Sequence, residues 1–532
     1  MALTRYLRWF DTTPSMGRVS TNNEVTFFTT GEEAFEDLGG LLEVEAGPSA
    51  TVLILGWSFT PSVVMQSRPT TPGLTTLESL LRNVTAKGGA VKAMLWKNTI
   101  MPGTGGTTSG AAFISGLPRS QAILDNRTPL AGTHHQKIQA IVGSRAGTAG
   151  DSVAYCGGMD LFADRVGPTA LHDVHCKIVG DGSADLVAVF TERWNDHPDH
   201  AAAYTPSLTS GPATAPFTDL VQVCRTYPQF PSGLSGVGYS IFVNNVLPTL
   251  SQVLSAHGAV APGDMRVAGQ VRYYSFYRSD AGVQQIWRAV RRAIEQAEKF
   301  IYLEDQYLVN LWVGQALARK LATAGRDFRI VILALHPDLA DIEQVWPRRR
   351  ALLAPLIAAD PGRSRWQVFT RNLAKDHPYV HSKTWIFDDE LVITGSANVD
   401  RRGYTYNSEA DVVVAGDVTP HHEVASGATT KAQDLRCRLF AKHLGGKASD
   451  YLDHTKALAA WRHPGAGSHV VVFNPDQKPG APDKYAAQLS AASRTTPGVS
   501  LALAGMALRG GVDNVLWDYL EDPDADVGPP AP

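Results

Sequence analysis

The chain has 532 residues, of which 44% are hydrophobic and 19% charged. That length accommodates two or three ordinary domains, and that composition excludes a disordered or fibrous protein. A net charge of −3 and a pI near 6.6 lack the basic excess of a protein built to grip nucleic acid, which argues against a general nuclease.

The opening segment Met1 to Arg18 has no apolar stretch of the kind a secretory signal needs, and no window reads as a transmembrane helix. The expectation is a cytoplasmic protein that touches a membrane, if at all, from outside. Among the four cysteines no CxxC spacing occurs, so neither zinc nor a redox pair is suggested. Cys156 and Cys176 lie in apolar runs and read as buried free thiols.

In chain order, residues 51–59 form a short apolar run suited to a buried strand. Leu77, Leu80, Leu81 and Val84 recur at helical spacing, and Ala90 to Trp96 reads as the next strand. The second half repeats this order. Ile286, Val290, Ile294 and Ala297 mark an amphipathic helix, Phe300 to Leu303 a strand, residues 312–324 a helix, and Phe328 to Leu335 a strand. This alternation predicts an α/β fold with a parallel or mixed sheet. The stretch from Pro228 to Pro262 is rich in Pro, Gly and Ser and reads as a connection, although it also contains the apolar Tyr239 to Val243. The predicted organisation is therefore 1–227, a connection at 228–262, 263–450, and an extension at 451–532. The extension, rich in Ala, Gly and Pro and ending in the acidic run Glu521 to Asp526, is expected to be partly packed and partly disordered.

One motif occurs twice. The second copy reads His381-Ser-Lys383, Asp388, Gly395-Ser396-Ala-Asn398, Asp400-Arg401 and Asn407-Ser-Glu409. The first reads His135-Gln-Lys137, Gly157-Gly158-Met-Asp160 and His172-Asp173. His381 and Glu409 are 28 positions apart, His135 and Asp173 38. The turn-like Gly143 to Gly150, present only in the first copy, accounts for most of the difference.

Each residue has a chemical reason. In extended backbone, His and Lys two positions apart share a face, so imidazole and ammonium can meet one phosphate together. Glycine lets backbone approach a ligand closely. Asn398 can donate to a phosphate oxygen. A later carboxylate can accept from the second ring nitrogen of a histidine, fixing its tautomer and raising its basicity. His175-Cys-Lys177 is a third His-x-Lys but lacks the glycine turn, and reads as a decoy. His134 and His172 read as supporting residues, and the cluster Asp196-His197-Pro-Asp199-His200 as solvated surface in preference to a metal site. Lys97, Arg401 and Arg402 suit either phosphate binding or ordinary salt bridges.

HxKxxxxD followed by GSxN and a later Glu resembles the signature of the phospholipase D superfamily. Gly56 to Phe59, Phe190 to Asn195 and Ile301 to Tyr307 are similar to other segments of that family, so the resemblance covers roughly residues 25–450. One departure is Val142, which stands where the second copy has Asp388.

The resemblance implies two similar halves, each a central mixed sheet flanked by helices, packed face to face around one active site. It implies catalysis by His135, Lys137, Asp173, His381, Lys383, Asn398 and Glu409, with Gly158, Asp160, Gly395 and Ser396 lining the substrate. His135 would attack phosphorus and His381 protonate the leaving group, with Asp173 orienting His135 and Glu409 orienting His381. No metal or other cofactor is implied, because the lysines and Asn398 supply the positive field. The expected substrate is a phospholipid at a membrane surface, with water or an alcohol as acceptor and no obligate protein partner. A cardiolipin-synthase-like phosphatidyltransferase and a nuclease of the same superfamily are the enzymatic alternatives. A degenerate scaffold binding lipid or protein is the non-enzymatic one.

Overall fold

The computed structural model describes residues 3–44, 47–97, 104–125, 127, 133–143, 152–206, 208, 218–228, 282–339, 345–375, 379–405, 407–419 and 427–475. The expected connection beyond Pro228, most of the inserted turn and the tail past residue 475 lie outside the described residues.

Sixteen strands form a mixed sheet among the described residues. They are β1 Val19–Phe28, β2 Thr51–Gly56, β3 Ala90–Trp96, β4 Gln121–Asp125, β5 Ile138–Val142, β6 Ser152–Gly157, β7 His175–Gly180, β8 Asp219–Tyr227, β9 Val283–Gln284, β10 Phe300–Asp305, β11 Arg329–Ala334, β12 Trp366–Arg371, β13 Thr384–Phe387, β14 Leu391–Gly395, β15 Glu409–Ala415 and β16 Val470–Val472. The spatial order β4-β3-β2-β5-β6-β7 recurs as β12-β11-β10-β13-β14-β15. In both, the first three strands are parallel and the rest antiparallel. The fold is α/β, with a mixed sheet flanked by helices, as the alternating pattern predicts.

The two copies are joined through the sheet itself. β1 and β8 lie between β7 and β15, pairing antiparallel with them and with each other, so one sheet runs through both copies. The physical reason is the strand edge. β7 and β15 would otherwise each present a row of unpaired N–H and C=O groups, and β1 and β8 satisfy both rows.

Strands β2, β5, β6, β10, β14 and β15 are buried almost without alternation, because helices or the other copy cover both faces. Leu77, Leu80, Leu81 and Val84 are fully buried on one face of the helix Leu77–Ala86, which starts at a capping box between Thr76 and Ser79. One hydrophobic cluster contains residues of both copies, among them Leu53, Ile138 and Ala154 with Ile386, Val392 and Val412. All four cysteines are buried and free. Among the described residues, no helix is long and apolar enough to cross a membrane.

Candidate active site

Both His-x-Lys motifs sit in extended chain just before a strand, His135 to Lys137 ahead of β5 and His381 to Lys383 ahead of β13. Their lysines fold back in the same way. Lys137 Nζ donates to the His135 carbonyl at 2.9 Å. Lys383 Nζ donates to the His381 carbonyl and to Gln306 Oε1, the latter at 3.0 Å.

The orienting carboxylates are crossed between the copies. His135 Nδ1 lies 3.0 Å from each oxygen of Glu409. His381 Nδ1 lies 2.7 Å from Asp173 Oδ2. The expected pairing of Asp173 with His135 and of Glu409 with His381 is therefore corrected. Its cause is visible in the backbone: the segment before each carboxylate bridges the segment around the opposite histidine, His134 with Ser408 and His172 with Val380. His135 N donates to the Ser408 carbonyl and His381 N to the His172 carbonyl. Each histidine is thus held twice, by the carbonyl before a carboxylate and by that carboxylate itself.

A carboxylate can only accept from Nδ1–H, which leaves the lone pair of each neutral ring on Nε2. Burial, reinforced by Lys137 and Lys383, keeps the His135 imidazole well below its ordinary pKa. Burial also keeps His381 well below, helped by Lys383 and Arg165. Glu409, fully buried, is pushed up to about 7 by desolvation despite the bonds it accepts from Ser396 and Asn407. The shifts in His135 and Glu409 have one cause: a low-dielectric site disfavours separated charge. Lys383 is pulled down to about 7, again chiefly by burial.

The register of β6 with β7 sets Gly157 opposite His175, and that of β14 with β15 sets Gly395 opposite Asp411. Asp173 and Glu409 thereby become equivalent, and His175 takes the place of Asp411. Gly158 is needed because a Cβ there would lie 2.1 Å from Asp173 Oδ1, and at Gly395 a Cβ would lie 2.1 Å from Asp411 Oδ1. Asp160 accepts from the backbone of Trp57 and Ser58 and lies 3.4 Å from Lys137 Nζ. Asn398 is buried, with its side-chain oxygen free of hydrogen bonds.

Other residues of the motif lie in the framework. Asp388 occupies a turn and accepts from the backbone amides of Glu298, Lys299 and Phe300. His175 meets Gln139, and Lys177 pairs with Asp37. Arg401 stacks on Trp312, and Arg402 reaches Asn407. His197 of the expected surface cluster is instead buried, 3.8 Å from Asp125.

His172, Glu304 and His443 converge in a buried group. Glu304 accepts from His172 Nε2, His443 Nε2 and Tyr302. Arg371 donates to His443 Nδ1, so the proton of that neutral ring is on Nε2, which is then a donor to Glu304 and has no lone pair for a metal. Sequence reasoning missed this group, Gln306 beside Lys383, and Arg165. The segment Glu304-Asp-Gln306 stood out only by its resemblance to family members and carried no side-chain role.

Fold and site define a duplicated α/β protein in which two His-x-Lys motifs are held by each other's carboxylates. Residues 290–430 match the family described as cardiolipin synthase, PLD-like domain. Over these residues the chain is similar to a phospholipase D-like domain. It is 23% identical to cardiolipin synthase of Staphylococcus aureus over 74% of this chain and 65% of that protein. It is also 23% identical to phospholipase D gamma 2 of Arabidopsis thaliana, over 80% and 58%. Phospholipase D1 of Saccharomyces cerevisiae is 23% identical over 52% of this chain, which spans only 17% of that relative. Among solved structures, phosphatidylserine synthase from Haemophilus influenzae Rd KW20 aligns over 90% of this chain and 94% of its own, at 10% identity and a TM-score of 0.48.

Proposed function

We propose that this chain cleaves or transfers phosphodiesters through a covalent phosphohistidine and acts on phospholipids. The observation that carries this reading is the pair of imidazoles, each anchored through Nδ1 to a buried carboxylate and each followed by a buried lysine. In the first half-reaction, His135 Nε2 attacks phosphorus as the bond to the head-group oxygen breaks. His381, protonated at Nε2 once the substrate's phosphate anion offsets the burial and the cations that hold its pKa down, gives its proton to the departing oxygen. In the second, His381 takes a proton from water or an alcohol whose oxygen attacks phosphorus and releases His135. Lys137, Lys383 and the Asn398 amide hold the non-bridging oxygens. These roles follow the usual order in the family.

Relatives named phospholipase D and cardiolipin synthase support a phospholipid substrate at a membrane surface, with water or alcohol as acceptor. The test is incubation with phosphatidylcholine and ethanol in excess EDTA, with phosphatidylethanol and phosphatidic acid as the expected products. A parallel arm offers phosphatidylglycerol as both donor and acceptor, and cardiolipin there would favour the synthase reading. Hydrolysis of a p-nitrophenyl phosphodiester without any lipid product would overturn the substrate class while keeping the chemistry. Loss of all turnover in EDTA, restored by added metal, would overturn the metal-free mechanism.

A further inference from the structure

The copies differ at one chemically important position. Their strand registers make Asp160 the counterpart of Asn398. An amide can donate to a phosphate oxygen, whereas a carboxylate only accepts and adds negative charge beside the anion's place. Asp160 is also spent within the protein. Its Oδ1 takes the amides of Trp57 and Ser58 at 2.7 and 3.1 Å, and its Oδ2 faces Lys137. The first copy thus lacks the donor that Asn398 supplies in the second.

Arg165 lies five positions further on, in the short turn Ala163–Arg165, and is buried. Its Nη1 donates to Asp164 at 2.6 Å. The opposite edge of the guanidinium is held loosely between two carboxylates of the site. Nη2 is 3.9 Å from Asp160 Oδ2, and Nε is 3.8 Å from Asp173 Oδ2. Both distances exceed a hydrogen bond, and Nε has no hydrogen-bond partner although it is buried. A buried donor without an acceptor is costly, so Nε–H is set to donate to an acceptor placed between the two carboxylates. Nε–H and Nη2–H form the planar fork that matches two oxygens of a phosphate. The charge of Arg165 also bears on His381 more strongly than that of Lys137 does.

We propose that Arg165 is a phosphate-binding residue of this site, whose Nε–Nη2 edge supplies to non-bridging oxygens the donors that Asp160 cannot. The inference rests on reading the site as one for phosphodiesters, and it adds a third cation to Lys137 and Lys383.

Inorganic phosphate is the probe, titrated calorimetrically into the full-length protein. Wild type binds it, and Arg165→Gln weakens binding about tenfold or more, the value of a charge-assisted hydrogen bond. Arg165→Lys keeps the charge without the fork and falls in between. In turnover of a soluble phosphodiester, Arg165→Gln raises KM more than it lowers kcat. A purely structural arginine would give a folded variant with a lower Tm but wild-type phosphate affinity, and that result overturns the proposal. Should Arg165→Gln not fold, Arg165→Lys decides: unchanged affinity overturns the proposal, and several-fold weakening supports it. Failure of the wild type to bind phosphate at all would overturn the reading of the site as well, so the two failures are distinct.

Discussion

His381 is held through Nδ1 by Asp173, a residue 208 positions earlier in the chain and in the other copy of the motif. Neither copy therefore contains a complete His–carboxylate unit, and a fault in one copy's carboxylate is felt at the other copy's histidine. Asp173→Asn should behave like a defect of His381: an amide that turns its N–H₂ toward Nδ1 favours the wrong tautomer. The expected loss with a natural, poorly leaving alcohol is about 10²–10⁴-fold in kcat, the range of general acid–base catalysis. It should shrink markedly when the leaving group is p-nitrophenolate. Comparing the rate of the first, burst-forming half-reaction with the two substrates checks this, because the second half-reaction still needs His381 as base. Equal losses with both would contradict the crossed pairing acting on the acid.

The pH dependence follows from two buried groups. Glu409 is raised to about 7, so below that pH its pair with His135 gains a proton, and the nucleophile's lone pair on Nε2 is lost. Lys383 is lowered to about 7, so above that pH the unliganded site loses a charge that the proposed mechanism assigns to the substrate phosphate. A plot of kcat/KM should accordingly be a narrow bell centred near neutrality, its limbs belonging to the coupled site and not to single residues. Lys383→Arg, with a cation that cannot discharge, should lower the maximum but push the alkaline limb upward. An alkaline limb that stays in place in that variant would remove Lys383 as its cause.

Much of this was readable in the sequence, for a local reason. His-x-Lys in extended chain places two side chains on one face whatever the tertiary structure, and the apolar run of β2 is unbroken because both faces are covered. The crossing was not readable. Asp173 and Glu409 suit either histidine by chemistry, and the choice is made by bridges between segments hundreds of residues apart. β1 was missed because Ser20, Thr21, Asn22 and Asn23 disguise a strand whose polar groups are satisfied internally: Asn23 donates to Ser20 and to the Asp219 carbonyl. Arg165 gave no signal, since a lone arginine near an aspartate is commonplace until burial and an unpaired Nε are seen.

Asp388 belongs to the HxKxxxxD signature, but its carboxylate is turned away from the chemistry, onto the amides of Glu298, Lys299 and Phe300 at the start of β10. Asp388→Ala should destabilise the fold and spare the active site. The buried Phe300 amide alone, left without an acceptor, costs about 1–3 kcal/mol. Urea unfolding should show that loss, while kcat per folded molecule stays near wild type. Val142 in the first copy then needs no catalytic compensation, and a large fall in kcat for folded Asp388→Ala would say otherwise.

The two histidines can be separated by the half-reaction each serves. A nucleophile is indispensable for forming the intermediate, whereas an acid matters in proportion to how poorly the group leaves. p-Nitrophenolate departs without a proton, so with a p-nitrophenyl phosphodiester His381→Ala should still release a burst of nitrophenol. It should then stall, because the acceptor water or alcohol has lost its base, leaving phosphorus on His135. Mass spectrometry of the peptide containing His134 to Lys137 should find that adduct. His135→Ala should give neither burst nor adduct, although Lys137, Lys383 and Asn398 remain to bind the substrate. The crossed geometry adds an internal control: Glu409→Gln, which disturbs His135, should suppress the burst, while Asp173→Asn, which disturbs His381, should preserve it. An adduct on the peptide carrying His381, with the burst lost in Asp173→Asn and kept in Glu409→Gln, would exchange the two roles and leave the rest of the site as described.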